Sequence, residues 1–172
     1  MFRSMNIDHE VYRNDKISPE EALSFDLIIL SPGPGIPSEA GNMGKIIAAC
    51  VGKKPILGIC LGHQAIAEYL GAKLNNMSSV YHGVKNKINI LSNEEIFEGI
   101  PEEIEVGRYH SWEVVREGLP ENISVTAEDE NGTIMALSDS SQKLYGIQFH
   151  PESVMTEYGE EMIQNFLKIA QL

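Results

Sequence analysis

Two short apolar runs constrain the fold of this chain more than any other feature: FDLIILS (25–31) and KPILGI (54–59). Each is an almost continuous apolar stretch bounded by glycine or proline, which is typical of a strand buried on both faces of a parallel sheet. Helices are predicted over 43–52 and 61–71. Because strands and helices alternate, we predict an α/β fold with a three-layer, doubly wound, mostly parallel sheet.

The second half of the chain shows a different pattern, in which short strands are joined by turns. We predict a smaller antiparallel set of strands over 83–91, 103–115, 123–129, 133–139 and 143–150, and a closing amphipathic helix over 159–170. Before the first apolar run we predict a short strand over 9–14 and a helical turn over 18–23, with Ser18 as its N-cap. A chain of 172 residues suits one domain, which we assign to 1–172.

Charge and cysteine content exclude several classes of function. The formal net charge is −12 at pH 7, which argues against a nucleic-acid partner because phosphates need a basic surface. No apolar run reaches the roughly 18 residues that would predict a membrane-spanning helix. The two cysteines, Cys50 and Cys60, form neither a CxxC pair nor a disulfide framework, so we expect a reducing, cytoplasmic setting.

The segment G-I-C-L-G (58–62) places Cys60 between a predicted strand and a predicted helix. Glycines there allow the sharp turn of a nucleophile elbow, and the first helical N–H groups favour a thiolate over a thiol. The N–H of Leu61 is also placed to hold an oxyanion. The alternative is a structural cysteine at a tight turn, and these five residues alone do not decide. Cys50, inside an apolar helix, is predicted to be core.

A nucleophilic cysteine needs a base, and His150 in YGIQFHPES (145–153) is the best candidate among five histidines. Pro151 favours an extended conformation at His150, so that Glu152, two residues on, reaches the imidazole. The alternative is a turn at a strand end with a solvated glutamate. The order Cys, His, Glu along the chain favours the catalytic interpretation.

The loop SPGPG (31–35) follows the first apolar run. Neighbouring parallel strands deliver their C-terminal loops to one edge of the sheet, so this loop is expected near Cys60, where Gly33 offers its N–H. A phosphate-binding loop is the competing interpretation, although the segment matches neither G-x-G-x-x-G nor a Walker sequence.

Four ordered segments together resemble one known family: PILGICLGHQ (55–64), SPGPG, RYHSW (108–112) and GIQFHPESV (146–154). They resemble the class I glutamine amidotransferases, and most closely the small, glutamine-hydrolysing subunit (component II) of anthranilate synthases. The corresponding subunit of aminodeoxychorismate synthases is very similar. The segment HPESVMTEYG (150–159) favours the anthranilate group.

This resemblance implies roles for individual residues. Cys60 attacks the side-chain amide of glutamine, His150 transfers protons, and Glu152 orients His150. The N–H groups of Leu61 and Gly33 hold the oxyanion. The residues that the resemblance assigns to glutamine binding are Gly33, Pro34, Gly35, Gln64, Ser111 and Trp112.

The resemblance also implies a partner. Ammonia would pass to a large, chorismate-binding synthase subunit that makes anthranilate for tryptophan biosynthesis, or aminodeoxychorismate for folate biosynthesis. No metal or cofactor is expected in this chain, and Mg²⁺ is expected only on the partner subunit. The alternatives are a free-standing cysteine hydrolase of related fold, and an inactive fragment or non-catalytic binding subunit of the same fold.

Two segments depart from the family pattern. The family begins with a central strand, whereas this chain starts at MFRSMNI, which resembles the end of the helix that follows that strand. From this we expect poor stability, a gap filled by another chain, or a rearranged sheet. The second departure is YHGVKN (81–86), in a segment that faces the synthase in the family.

Overall fold

The computed structural model describes residues 1–78 and 80–172, and a seven-stranded sheet forms its centre. The sheet order is β1-β2-β9-β8-β7-β4-β5, and β3 pairs with β6 in a separate two-stranded sheet. The strand bounds are Ile28–Leu30 (β1), Ile56–Ile59 (β2), Leu74–Asn76 (β3), Val84–Ile90 (β4), Glu103–Arg108 (β5), Trp112–Val114 (β6), Ser124–Asp129 (β7), Ile134–Asp139 (β8) and Leu144–Ile147 (β9).

Helices cover the two faces of the main sheet. Their bounds are Pro19–Ala22 (α1), Met43–Cys50 (α2), Leu61–Tyr69 (α3) and Gly159–Ile169 (α4). Helices α1 to α3 pack in one apolar cluster and α4 in the other. Successive residues of β2 serve different clusters, Ile56 the first and Leu57 the second, because side chains alternate along a strand. The predicted three-layer α/β architecture is therefore confirmed.

The main sheet is mixed. Strands β1, β2 and β9 are parallel, whereas β8, β7, β4 and β5 continue the same sheet with antiparallel pairing. The predicted antiparallel set is thus joined to the parallel part through the β8–β9 pair. The strand predicted over 103–115 is divided into β5 and β6 by residues 109–111, and β3 was not predicted.

The N-terminal predictions were partly wrong. Residues 9–14 form no strand, and Val11 is 87% exposed, because no described strand pairs with this segment. Ser18 does cap α1, accepting a hydrogen bond from Glu21 N while the Glu21 side chain accepts from Ser18 N. Of the three outcomes expected from the N-terminal departure, a gap in the sheet is not observed, since the seven described strands pair without a gap and β1 lies at the edge.

Other predicted elements are confirmed with shorter bounds. The run over 25–31 forms β1, but as an edge strand, so its first two residues are only partly buried. Helix α3 ends before Gly71, whose φ of 97° terminates it. No helix in the described part of the chain is long and apolar enough to cross a membrane.

Candidate active site

Cys60 occupies the junction between β2 and α3. Its backbone has φ 52° and ψ −99°, a strained conformation for a residue other than glycine, which costs about 1–3 kcal/mol and marks functional sites. Its N–H donates to Ile147 O at 2.9 Å, and its carbonyl accepts from Gln64 N at 3.1 Å. The sharp strand-to-helix turn predicted at Cys60 is therefore present, and it is fixed between β9 and the first turn of α3.

The glycines beside Cys60 permit close backbone contacts. A Cβ atom on Gly58 would lie 2.3 Å from the carbonyl of Gly62, and one on Gly62 would lie 2.3 Å from Leu30 O. Side chains at these positions would push α3 away from β1 and β2. The spacing of small residues around the cysteine thus allows the helix to start directly over the strand ends.

The SPGPG loop lies against the start of α3, as the sequence predicted. A Cβ atom on Gly33 would lie 2.9 Å from Leu61 Cδ2, so the two predicted oxyanion donors are neighbours. Gly35 has a φ of 79°, which favours glycine, and Pro34 is exposed beside it.

His150 lies in the turn after β9 and is fixed by β5. Its N–H donates to Gly107 O at 3.2 Å. Thr156 Oγ1 donates to His150 O at 2.6 Å and accepts from Gly107 N at 3.0 Å. The ring of Tyr109 packs on the imidazole with centroids 4.8 Å apart. The imidazole is therefore oriented by contacts on its backbone and on its face.

Glu152 completes the arrangement, because its Oε1 lies 2.7 Å from His150 Nδ1. The His150 side chain is 14% exposed, whereas that of Glu152 is 47% exposed. Burial raises the pKa of Glu152, but the hydrogen bond from His150, a backbone hydrogen bond and nearby positive charge together outweigh burial, and the net pKa is lowered. The carboxylate thus stays ionised and holds the proton of the imidazole on Nδ1.

The other ring nitrogen of His150 faces the thiol. Nε2 is buried and has no hydrogen-bond partner among the described residues, yet the imidazole is close enough to Cys60 for the sulfur to stabilise its protonated form. Burial lowers the pKa of His150, but the interactions with Cys60 and then Glu152 raise it overall, to about 9. The His150 imidazole is therefore suited to carry a second proton at neutral pH beside the Cys60 sulfur.

Gln64, on the first turn of α3, connects the elbow to the segment over 108–112. Its Nε2 donates to Trp112 O at 3.1 Å and to Gln148 Oε1 at 3.2 Å. Ser111, one residue earlier, accepts from Met77 N through its carbonyl at 2.8 Å. The predicted residues Gln64, Ser111 and Trp112 are thus brought to one wall of the site.

The same wall contains a buried ion pair that sequence reasoning missed. Arg108 Nη1 donates to Asp129 Oδ2 at 2.6 Å, and both side chains are at most 2% exposed. Arg108 Nε donates to His110 Nε2 at 3.1 Å, and His110 Nδ1 donates to Trp112 O at 2.8 Å. Burial lowers the pKa of His110 to about 4, so this imidazole is neutral. It connects Arg108 to the backbone of Trp112 through its two ring nitrogens.

The comparison with known families decides the identity of this arrangement. The sequence model for glutamine amidotransferase class-I matches residues 1–170. The chain belongs to this family. It is a glutamine amidotransferase, as the four ordered segments predicted.

Two relatives are similar to this chain over most of their own length. A putative anthranilate synthase component II from Haemophilus influenzae is 35% identical over 169 residues, which cover 98% of this chain and 88% of that protein. An aminodeoxychorismate/anthranilate synthase component 2 from Bacillus subtilis is 42% identical over 160 residues, with coverages of 92% and 82%.

A solved structure supports the fold of this amidotransferase. A putative GMP synthase protein from Thermoplasma acidophilum superposes with a TM-score of 0.89 at 32% identity, covering 99% of this chain and 84% of that one. A glutamine amidotransferase from Thermotoga maritima has a TM-score of 0.71 at 20% identity, covering 99% and 74%, and supports the fold alone.

Gln148 is a further residue beside Cys60 that the sequence did not predict. Its Nε2 donates to Cys60 Sγ at 3.6 Å, and its side chain is completely buried. Its position could have indicated this contact, because Gln148 lies two residues before His150 at the end of an extended segment, where alternate side chains lie on one side.

Two other histidines lie near the site without contacting Cys60 among the described residues. His63 packs against Gly146, and His82 contacts the ring of Tyr109. Across residues 1–78 and 80–172, no three His, Cys, Asp or Glu side chains are grouped to hold a metal ion.

Proposed function

We propose that this amidotransferase hydrolyses L-glutamine to glutamate and ammonia through Cys60, His150 and Glu152, and supplies the ammonia to a chorismate-using synthase subunit that makes anthranilate. The observation that carries the proposal is the position of the His150 imidazole, which has Glu152 at 2.7 Å on one nitrogen and Cys60 at the other. A strained cysteine at a helix start, paired with an oriented imidazole, is the arrangement that thiol nucleophiles require.

The first half of the proposed reaction forms a thioester. The Cys60 thiolate attacks the amide carbon of the glutamine side chain, and the amide oxygen becomes an oxyanion stabilised by the N–H groups of Leu61 and Gly33. The C–N bond then breaks as the departing nitrogen takes the proton of the His150 imidazolium. Ammonia leaves, and the acyl group stays on the sulfur.

The second half restores the enzyme. Neutral His150 removes a proton from water, and the resulting hydroxide attacks the thioester carbon. The C–S bond breaks, glutamate leaves, and the thiolate and imidazolium are regenerated. Glu152 remains ionised throughout and stabilises the imidazolium each time it forms. Neither half-reaction requires a metal ion in this chain, and any Mg²⁺ is assigned to the synthase partner.

Gln64 is proposed to bind the amino-acid end of the substrate. Its side-chain Nε2 already donates to Trp112 O and Gln148 Oε1. The side-chain oxygen Oε1 of Gln64 is therefore left to accept from the ammonium group of the substrate. The backbone at Ser111 and Trp112, and the loop residues Gly33, Pro34 and Gly35, complete this proposed subsite.

A partner next to the site is required by the chemistry of the product, because ammonia released into water is mostly protonated and no longer nucleophilic. Two exposed apolar side chains belong to segments that contact the site. Val154, two residues after Glu152, is fully exposed, and Val80 is 69% exposed in the segment that leads to Tyr81. The Tyr81 ring in turn stacks on Arg108 and His110. We propose that the synthase subunit covers this surface, and that the complex is cytoplasmic.

The experiment is glutamate release from glutamine by the chain alone, and with an anthranilate synthase large subunit plus chorismate. Cys60→Ser is the inactive variant and Cys50→Ser the matched control, since Cys50 is buried in α2 away from the site. We expect Cys60-dependent glutamate that rises with the partner and is matched by anthranilate. Absence of glutamate under both conditions would overturn the proposal.

An aminodeoxychorismate synthase is the second candidate partner. The Bacillus subtilis relative, 42% identical, carries both activities in its name. The same assay with an aminodeoxychorismate synthase large subunit separates the candidates. Stimulation by that subunit, without stimulation by the anthranilate subunit, would replace anthranilate with aminodeoxychorismate in the proposal.

A further inference from the structure

Gln148 directly follows β9 and is completely buried. Its N–H donates to Met135 O at 2.8 Å, which fixes the backbone beneath the side chain. The side-chain amide lies between two groups of the active site. Nε2 is 3.6 Å from Cys60 Sγ, and Oε1 accepts from Gln64 Nε2 at 3.2 Å.

We propose that Gln148 is a positioning residue whose amide links the nucleophile to the substrate-binding wall, donating through Nε2 to the Cys60 thiolate and accepting through Oε1 from Gln64. This inference rests on the proposed glutamine hydrolysis and deepens it. In this proposal, one side chain connects the protonation of the Cys60 sulfur to the orientation of the Gln64 side chain.

The orientation of the amide follows from its partners. Gln64 can only donate through Nε2, so the oxygen of Gln148 must face Gln64 and the nitrogen must face the sulfur. Hydrogen bonds to sulfur are longer than those to oxygen, and a donor beside a thiolate favours the charged form. Gln148 and Gln64 are 84 residues apart in sequence, so the link joins α3 to the end of β9.

Neither close substitute for glutamine keeps both contacts. Methionine has a similar length but no N–H to donate to the sulfur and only a weak acceptor for Gln64. Glutamate keeps the acceptors but loses the donor and brings a negative charge beside the thiolate. The two variants therefore remove the proposed donor in different ways while changing the side-chain volume little.

Several titratable and charged groups face the thiol or its neighbours. His150 is adjacent to the sulfur, and Glu152 acts through it. His63 on α3 and His110 behind Trp112 have pKa values lowered by burial to about 3 and about 4, so they are neutral near pH 7. The Arg108–Asp129 pair lies behind His110 and keeps compensating charges, and Tyr109 covers the far side of His150.

The test is the rate of Cys60 alkylation by iodoacetamide from pH 5 to pH 10, followed by mass spectrometry of the Cys60 peptide. It compares the wild type with Gln148→Met and Gln148→Glu. Gln164→Glu, on the exposed face of α4, is the matched control for the charge change. We expect alkylation at pH 7 to fall about tenfold in Gln148→Met, with a greater loss in Gln148→Glu, and the pH midpoint to rise in both.

Steady-state kinetics provide a second readout for variants that hydrolyse glutamine. A side chain that joins the nucleophile to Gln64 is expected to affect both constants, so kcat falls and KM rises in Gln148→Met. Alkylation profiles within twofold of the wild type in folded variants would overturn the proposal. Because iodoacetamide does not need glutamine turnover, a wild type that is alkylated normally yet releases no glutamate would count against the proposed function and not against the role of Gln148.

A measurement on the wild type covers the case in which neither variant folds. The side-chain amide resonance of Gln148, assigned by its contacts in ¹⁵N NMR spectra, is expected to titrate with the midpoint of Cys60 alkylation. In Cys60→Ser, whose hydroxyl stays neutral, this titration is expected to disappear. A Gln148 resonance that does not move with the Cys60 midpoint would overturn the inference.

Discussion

His150 and His63 both lie against β9, yet near neutral pH His150 favours the protonated form and His63 the neutral form. His150 follows the end of the strand, where Glu152 and Cys60 hold its pKa at about 9 despite burial. His63 packs on Gly146 within the strand, and burial lowers its pKa to about 3. Its two ring nitrogens have no hydrogen-bond partner among the described residues. The comparison shows that neighbouring charges, and not the residue type, decide which histidine is fit for proton transfer.

The largest expected effect separates the two histidines by activity. His150→Leu is expected to lower glutamine hydrolysis at least about 10³-fold, because the group that protonates the departing amide nitrogen and activates water is lost. His63→Leu, a substitution of the same kind, is expected to change the rate less than about tenfold. Steady-state glutamate release measures both. Equal losses in the two variants would show that the contrast between the histidines is not functional.

The next effect concerns the carboxylate beside His150. The imidazolium of His150 must donate a proton to the departing amide nitrogen, so activity is expected to fall as pH rises through about 9. Glu152→Gln removes the charge that stabilises the imidazolium, so the alkaline limb of the kcat/KM profile is expected to move down by roughly one pH unit. The partial exposure of Glu152 limits the size of this shift.

Glu160→Gln, on the exposed first turn of α4, is the matched control for this pH profile. Its alkaline limb is expected to coincide with that of the wild type. An unchanged limb in Glu152→Gln would show that the carboxylate does not set the charge state of His150.

The smallest expected effect is on stability and belongs to His63. Its folded pKa of about 3 lies below the unfolded value of 6.5, so the unfolded chain binds the proton first and stability is lost as pH falls below 6.5. By pH 5 the resulting loss in the free energy of unfolding amounts to about 2 kcal/mol. Urea unfolding at pH 7.5 and pH 5 is expected to show a smaller difference in His63→Leu than in the wild type. An equal difference in both proteins would show that His63 does not carry this acid sensitivity.

The sequence predicted what depends on short segments. Cys60 between Gly58 and Gly62 defines the elbow locally, and Glu152 is close to His150 because only Pro151 separates them. Strands and helices with strong apolar patterns were also predicted, although the structure shortens most of them. The glycines around Cys60 and the proline after His150 were therefore sufficient to predict the local geometry of Cys60, His150 and Glu152.

The parts that were missed depend on residues far apart in the chain. Arg108 and Asp129 are 21 residues apart, and their pairing follows from the register of β5, β4 and β7. The link between Gln64 and Gln148 spans 84 residues. The segment over 9–14, which was wrongly predicted to be a strand, has a local strand propensity, but no described strand pairs with it. A single-sequence pattern does not specify pairing partners, so such features emerge only from the assembled sheet.

The central claim is that Cys60, paired with His150, is the nucleophile that attacks glutamine. The most direct measurement is covalent labelling by a diazo-ketone analogue of glutamine, with the modified peptide identified by mass spectrometry. We expect one label per chain on Cys60, none on the fully buried Cys50, protection by excess glutamine, and strongly reduced labelling in His150→Leu. Absence of labelling on Cys60, or labelling that neither glutamine nor loss of His150 affects, would contradict the account.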